Sequence, residues 1–332
     1  TAAQVAGDVT NLMFNDYGSY NHTWGVDYNK SSGSSSSTSE NITHVDAGKV
    51  NIKTKGDTTL NGVDMKAKDV VIDAGGDVNM RAAEQTTSYT ENGMNVSVGV
   101  TLGGAVDRDS AGAGLSLDAS GGKNQKDENS KSYTNTTVVA DNVSIKSGND
   151  INLVGADVTA KTADVKAAGD LNIVSVQDTV DNDASSWHAG ASVGVAVTTD
   201  SGGLPMATGS VNAGGGSDFL DSATTAKQSG IHTSGELNVE TGGDLNMTGG
   251  QLISDDHTGN VDVAGNINVK DLVDTVEQDG AYGGGGGGVT KTGPSVNMYT
   301  QTTDEIHYQE NQHSTIDVGN TTASKINGDL NT

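Results

Sequence analysis

Histidines, paired acids and glycine-rich phrases are the residues of this chain whose types could do chemistry. Imidazole binds metal and moves protons near neutral pH, and the seven histidines are His22, His44, His188, His232, His257, His307 and His313. None stands in H-E-x-x-H or another metal-ligating spacing. His44 and His232 lie 188 residues apart, close to two periods of the repeat described below, which marks a repeat position and not a ligand. A polysaccharide-cleaving site would need acids in a groove with a basic residue to hold an anionic sugar. The candidates are Asp107 and Asp109 flanking Arg108, and Asp255 and Asp256 beside His257. All sit in stretches that read as turns and do not recur on one face, so a charged turn is the preferred reading.

Weaker phrases lead to the same place. AGGGSDFL at 213–220 resembles a single calcium-binding nonapeptide, but such sites need stacked copies. GAG at 112–114 precedes a strand pattern, so no phosphate cradle is implied. SSGSSSST at 31–38 reads as a flexible patch or the turn of an extension, and no Ser/His/Asp set is present. The sequons at Asn41, Asn95, Asn135 and Asn142 follow from Asn/Thr richness, since some fall in strand patterns. No residue is assigned as catalytic, cofactor-binding or metal-ligating, no cofactor is expected, and binding residues are left unassigned.

Composition narrows the classes further. The 332 residues carry 43 acids against 18 bases, a net charge of −25. Arg occurs only as Arg81 and Arg108. Nucleic acid and anionic membrane surfaces call for clustered Lys and Arg, so both are disfavoured as partners. With no cysteine there is neither a disulfide scaffold nor a thiolate metal site. No apolar run approaches the ~18 residues of a membrane-spanning helix. TAAQVAGDV at the start has neither a basic n-region nor an apolar h-region, and the chain reads as a piece of something longer.

The elements that must position these residues come from a repeat. KGDTTL at 55–60 pairs with GGDVNM at 75–80, GNDINL at 148–153 with AGDLNI at 168–173, and GGDLNM at 242–247 with AGNINV at 264–269. The marker residues 57/77, 150/170 and 244/266 give internal gaps of 20, 20 and 22, and the pairs recur after 93 and 94 residues. Partial copies stand at 6–11 and 327–331.

Aliphatic residues around each phrase come as i, i+2 pairs, the period of a strand with one buried face. In the middle unit they are Val143, Ile145, Ile151, Leu153, Val158, Val165, Leu171 and Ile173. The first unit answers with Val50, Ile52, Thr58, Leu60, Met65, Ile72, Val78 and Met80. The third answers with Leu237, Val239, Leu245, Met247, Leu252, Val263, Ile267 and Val269. Gly-Asp elements turn the chain between them. Three short strands in about 20 residues predict an all-β fold, a parallel β-helix in which no coil is stable without its neighbour. Asn79, Asn152, Asn172, Asn246 and Asn268 alternate with inward aliphatics, so they face out as a ladder, or less favourably as a sugar-binding row.

About fifty residues separate one pair of coils from the next. Alternating runs such as NVSVGVTLGG at 95–104 and ASVGVAVTT at 191–199 flank Gly-rich turns. They read as a hairpin or a widened coil that projects from the shaft or adds irregular coils. Both prolines, Pro205 and Pro294, fall here and none in the coils. GGGGGG at 283–288 cannot fix a register by itself. If two thirds of the chain sits in coils, roughly eleven of them make a rod of about 50–55 Å at ~4.8 Å each.

The order GNDINLVGA at 148–156, AGDLN at 168–172 and WHAGASVGVAV at 187–197 is similar to the haemagglutinin repeat. So are the return phrases SENITHVDAGKVNI at 39–52 and SGIHTSGELNV at 229–239. The resemblance covers essentially the whole chain. The family is that of filamentous haemagglutinin-like and contact-dependent growth inhibition exoproteins of two-partner secretion. It implies a right-handed parallel β-helix with hairpin-like or irregular extensions between paired regular coils. The chain would be one β-helix fragment over 1–332. Its repeat units would lie at approximately 1–46 (partial), 47–139, 140–233, 234–319 and 320–332 (partial).

The resemblance further implies secretion to the bacterial surface through an outer-membrane partner and contact with target-cell surface or envelope components; bare ladder edges at the ends of a shaft fragment predict a monomeric rod able to stack end to end. The function read from it is a non-catalytic shaft segment serving adhesion, delivery of a C-terminal toxin, or both. A delivery segment that itself enters the target outer membrane would need apolar outward faces, and the outward positions named above are not apolar enough. The alternative is a β-helical carbohydrate-active enzyme.

Overall fold

The computed structural model describes residues 18–106, 110–199, 202–290 and 293–327. These form an all-β structure of three sheets, two containing parallel strands and one antiparallel.

The chain begins with a long strand, β1 (Gly18–Ser39). Two short layers follow: β2 (Thr43–Thr54) with β3 (Thr58–Asn61), then β4 (Val63–Ala74) with β5 (Val78–Arg81). Each layer is called a rung here. The chain then leaves as a long hairpin, β6 (Ala83–Val106) and β7 (Ala111–Thr134). The next two rungs are β8 (Thr136–Ser147) with β9 (Ile151–Val154), and β10 (Ala156–Ala167) with β11 (Leu171–Val174). The second hairpin is β12 (Asp178–Thr198) and β13 (Pro205–Thr224). Rungs five and six are β14 (Gly230–Thr233), β15 (Leu237–Thr241), β16 (Leu245–Thr248), then β17 (Gln251–Ser254), β18 (Gly259–Val263), β19 (Asn266–Lys270). The third hairpin, β20 (Leu272–Thr290) and β21 (Gly293–Gln312), precedes a last rung of β22 (Thr315–Asp317), β23 (Asn320–Thr322) and β24 (Lys325–Asn327).

Every rung pairs in parallel with the next. Val50 lies opposite Val70, Val70 opposite Val143, and Val143 opposite Ala163. The side chains at these positions therefore stack in columns, and their burial follows the period-2 pattern. All eight aliphatics named for the middle unit are buried, as are all eight of the third. In the first unit Val50, Ile52 and Leu60 are only partly buried, because their rung is last in its sheets. Gly62, Gly155 and Gly249 link one rung to the next at φ of 58°, 64° and 56°, a left-handed turn that glycine makes without steric cost.

The long extensions depart from one of the two expectations. They add no irregular coils. Three antiparallel hairpins are described, and together with β1 they pair in the order β1-β6-β7-β12-β13-β20-β21, a single seven-stranded sheet. Among the described residues there are thus seven rungs, not eleven, and at ~4.8 Å per strand they advance about 30 Å from first to last. The polar leads such as AEQTTSYTENG are the lower halves of these strands. SSGSSSST at 31–38 is neither flexible patch nor turn: it is strand, paired residue for residue with β6. The glycine run 283–288 takes its register from its neighbours, pairing with 210–215 on one side and 295–300 on the other. Pro205 opens its strand and Pro294 lies on the outermost strand, where no ladder donor is lost.

The alternation of two rungs with one hairpin has a geometric reason. Two rungs advance about 9.6 Å, and the two strands of a hairpin occupy the same width. The parallel and antiparallel sheets therefore grow at equal pitch, and one hairpin for every two rungs keeps them in step.

Candidate functional site

The Gly-Asp phrase is a joint between rungs. Asp57 Oδ1 accepts the amide of Asp77 at 2.9 Å, Asp77 that of Asp150 at 3.2 Å, Asp150 that of Asp170 at 2.8 Å, Asp170 that of Asp244 at 2.7 Å, and Asp244 that of Asn266 at 2.7 Å. The glycine before the aspartate makes the room: a Cβ on Gly76, Gly169, Gly243 or Gly265 would sit 2.0–2.2 Å from the carboxylate of the rung before. Each carboxylate meets an N–H dipole, which offsets the repulsion of like charges one rung away.

The outward asparagines form the second ladder. Asn152 Nδ2 donates to Asn79 Oδ1 at 2.9 Å, and Asn172 to Asn152, Asn246 to Asn172 and Asn268 to Asn246 at 2.8 Å each. Each link uses one N–H and one lone pair of the amides it joins, so the row ties rung to rung.

The histidines also face outward and bind across rungs. His44 Nδ1 lies 3.1 Å from Asp64, His232 Nε2 2.7 Å from Asp255, His257 Nδ1 2.6 Å from Asp317 and His313 Nδ1 2.7 Å from Asp271. Asp255 and His257, two apart in sequence, thus turn to different partners. The Thr137 hydroxyl, and after it His44, hold the Asp64 carboxyl below its ordinary range. Glu305 beside His307 pushes that imidazole above its ordinary value, with Glu277 and Asp279 adding to it. His22 packs edge-on to Trp24, and His188 is on the hairpin sheet. Among the described residues no three His, Asp or Glu side chains converge as a metal site would require. Asp107, Arg108 and Asp109 lie outside the described residues. AGGGSDFL and GAG lie within β13 and β7, Asn95 and Asn142 within β6 and β8, and Asn41 and Asn135 between strands.

Two sets of residues escaped the sequence reading. Thr136, Ser229 and Ser314 stand where a hairpin returns to the rungs, and all are fully buried. Their hydroxyls donate to the carbonyls of Arg81, Val174 and Lys270 and accept the amides of Val63, Ala156 and Gly250. Only a Ser or Thr recurring just before each return phrase could have signalled them. Asp274 is the other. It is buried at the base of the third hairpin, where Oδ1 accepts Gln177 Nε2, the Thr225 amide and the Thr225 hydroxyl, and Oδ2 accepts Gln312 Nε2. Burial alone would raise its pKa, but these bonds outweigh it and hold the carboxyl below the ordinary range.

The hairpin sheet carries many of the exposed apolar side chains among the described residues. One register line runs Val26, Val98, Ala119, Ala191, Val211, Gly287, Val296 across all seven strands, and the next runs Trp24, Val100, Leu117, Val193, Gly209, Val289, Pro294. The intervening line on the opposite face runs Gly25, Gly99, Asp118, Ser192, Ser210, Gly288, Ser295. The sheet is one layer thick, apolar on one face and polar on the other, and Val26, Val296 and Met298 are 75, 79 and 84 % exposed. The outward positions named on the rungs are polar as expected, and the apolar outer face lies on the hairpins, whose outward positions that expectation did not cover. Strand alternation was legible at 95–104; that no described residue covers its apolar side was not.

These surfaces can be set beside known proteins. The hemagglutinin-repeat family model matches residues 11–96, 62–189 and 182–285. The chain is similar to filamentous hemagglutinin of Bordetella pertussis, 32% identical over 326 residues, 96% of this chain and 9% of that protein. It is similar to the protein adenylyltransferase and cysteine protease IbpA of Histophilus somni, 25% identical over 99% of this chain and 8% of that protein. It is similar to the deoxyribonuclease CdiA of Yersinia pseudotuberculosis, 29% identical over 78% of this chain and 24% of that protein. No solved structure matches. The chain thus spans a quarter or less of each curated relative.

Proposed function

The chain belongs to the hemagglutinin-repeat family, and on that footing we propose that it is a non-catalytic shaft segment of a secreted, surface-displayed bacterial exoprotein, serving adhesion, toxin delivery or both. One observation carries this. The outward Asp and Asn side chains at the rung edges bond from rung to rung, which ties the stacked strands into a rod. The rungs are read as coils of a right-handed parallel β-helix, because parallel crossovers in one sheet strongly favour that hand. The repeat units are taken at 1–46, 47–139, 140–233, 234–319 and 320–332. The parent would pass an outer-membrane secretion partner and meet components of a target-cell envelope. The enzymatic names of two relatives belong to proteins of which this chain covers 8% and 24%, so no activity is carried over. Deleting the segment from its parent tests the reading. Loss of target-cell attachment supports adhesion, and loss of toxin entry with attachment intact supports delivery. A parent unaffected in both would refute the proposal.

The apolar sheet face favours a second reading, that the segment engages the target membrane directly. Alternation from Met94 to Leu102 spans about 27 Å at ~3.3 Å per residue, close to the ~25 Å apolar band of barrel strands. No helix among the described residues is long and apolar enough to cross a membrane, so contact would be made by strands. Flotation of the chain with uncharged phosphatidylcholine vesicles, lost in Val98→Asp and Val193→Asp, supports this. Failure to float, or flotation indifferent to both changes, refutes it.

A further inference from the structure

The apolar side of the hairpin sheet is uncharged over a wide area. Besides the register lines of Val26 and Trp24, a third line on that face runs from Tyr28 through Val96 and Ala189 to Met298. No residue on the three lines is charged. A fourth, through Leu102, Leu115 and Val195, extends them toward the hairpin tips. Charge first appears one line nearer the shaft, at Lys30 and Lys123. Val98, Leu117, Val193 and Val211 are each more than half exposed.

The size of this face is that of a protein interface. Four lines at ~6.6 Å cover about 26 Å along the strands, and seven strands at ~4.8 Å cover about 34 Å across. With the fourth line incomplete the face is roughly 800 Å², and a stable interface of standard size takes about 800 Å² from each partner. The face is also in relief. Large side chains stand beside small ones along the strands: Leu117 beside Ala119, Val193 beside Ala191, Val211 beside Gly209, and Val289 beside Gly287. Such teeth and gaps receive the side chains of a second sheet, which packs about 10 Å away. Fluid lipid has no use for relief.

From this geometry we infer that in water the face is covered by the same face of a second copy of the chain. A two-fold axis sets apolar lines against apolar lines, and the pair is closed because each copy offers one such face among the described residues. With a net charge of −25 two copies repel at long range, so they meet where the facing surfaces hold no carboxylate. The opposite face does not qualify, since Asp27 and Asp118 lie on it. The uncharged lines begin at Val96, about 40 Å along β6 from the rungs at ~3.3 Å per residue. The two shafts therefore stay clear of one another when the hairpin tips overlap. A chain read as a monomeric rod would thus pair through its hairpins and not only stack at its ends. The inference rests on neither reading of function above, because it concerns the face before any target is met.

The test is sedimentation of the 332-residue chain at physiological salt over about 0.1–100 µM, with a dimer expected to form at ~10 µM or below. Both tryptophans, Trp24 and Trp187, lie on this face at 42 and 54 % exposure, so their emission should shift to the blue as the dimer forms. Val98→Asp and Val193→Asp should each weaken association at least ~100-fold, because the new carboxylate must be desolvated against an apolar partner. Ser192→Lys places a charge one residue from Val193 but on the other face, beside Asp118, and should leave the dimer unchanged. Far-UV circular dichroism checks that each variant keeps its β signal. Should an aspartate variant unfold, the isosteric double variant Val98→Thr with Val193→Thr decides in its place, with an expected loss of about tenfold. A monomer over the whole range, association unchanged by the face variants, or open-ended growth without a dimer plateau would each overturn the inference. A monomer that floats with the vesicles described above would overturn it as well, and would assign the face to the membrane.

Discussion

Replacing Gly169 by alanine tests why the repeat is spelled Gly-Asp. The new Cβ would stand 2.1 Å from Asp150 Oδ1, so the carboxylate must swing away and release the Asp170 amide it accepts at 2.8 Å. A hydrogen bond to a charged acceptor is worth about 1.5–3 kcal/mol, and Asp150 is only half-buried, which favours the lower end. Gly169 is not in the left-handed region, so alanine pays no φ penalty, and its smaller unfolded-state entropy returns some tenths of a kcal/mol. Gly169→Ala should therefore cost about 1.5 kcal/mol. Asp150→Ala loses the same bond and should cost about the same. The double variant loses that bond only once, so it too should cost about 1.5 kcal/mol, a coupling as large as either single effect. Gly56 supplies the control: it precedes Asp57 in the same phrase, yet nothing lies within 4 Å of its Cβ position. Gly56→Ala should be neutral or slightly stabilising. Urea unfolding followed by far-UV circular dichroism, with m-values compared across the set, measures all four. Costs that add to within ~0.5 kcal/mol in the double variant would show that carboxylate and glycine act independently, and the ladder would not explain the motif.

Leu171→Ala, which empties a fully buried column position, should cost about 2–5 kcal/mol in the same assay; a cost under 1 kcal/mol would deny a close-packed interior. Asp274→Ala strands buried donors from Gln177, Thr225 and Gln312 and should cost about 3 kcal/mol, read by hydrogen exchange at the hairpin bases. Because the folded pKa of Asp274 is lowered from 3.8, its stabilisation is complete above that value. It is lost as pH falls through the lower folded value, so the wild type should lose stability below about pH 4 more steeply than Asp274→Asn. Deleting residues 82–174 removes one hairpin with two rungs and keeps both sheets in step, so the product should unfold cooperatively. Deleting only 83–134 leaves β1 without its partner strand β6 and should aggregate or lose cooperativity on size-exclusion and melting.

The sites divide the same way. Asp255 and Asp256 lie between β17 and β18, in the turn their sequence suggests, but the partners of the histidines and acids were not legible. Asp255 faces His232, and His257 faces Asp317 sixty residues further on. A carboxylate has the same spelling whether it is paired, capping or free, and only the stacked neighbour decides. Asp274 illustrates the limit, since its four donors come from Gln177, Thr225 and Gln312, none of them near it in sequence.

What the amino-acid order determined by itself is local and periodic. Alternating aliphatics such as Ile151, Leu153, Leu171 and Ile173 choose strand and buried face, because successive side chains of a strand must point to opposite sides. Recurrence at about twenty residues makes those faces stack. What only the tertiary structure decided is how separate excursions meet. Three hairpins, each legible as alternating runs, join into one sheet because a pair of strands is as wide as a pair of rungs. That match is a property of backbone spacing, carried by no residue, and from it comes a sheet whose apolar face is exposed among the described residues.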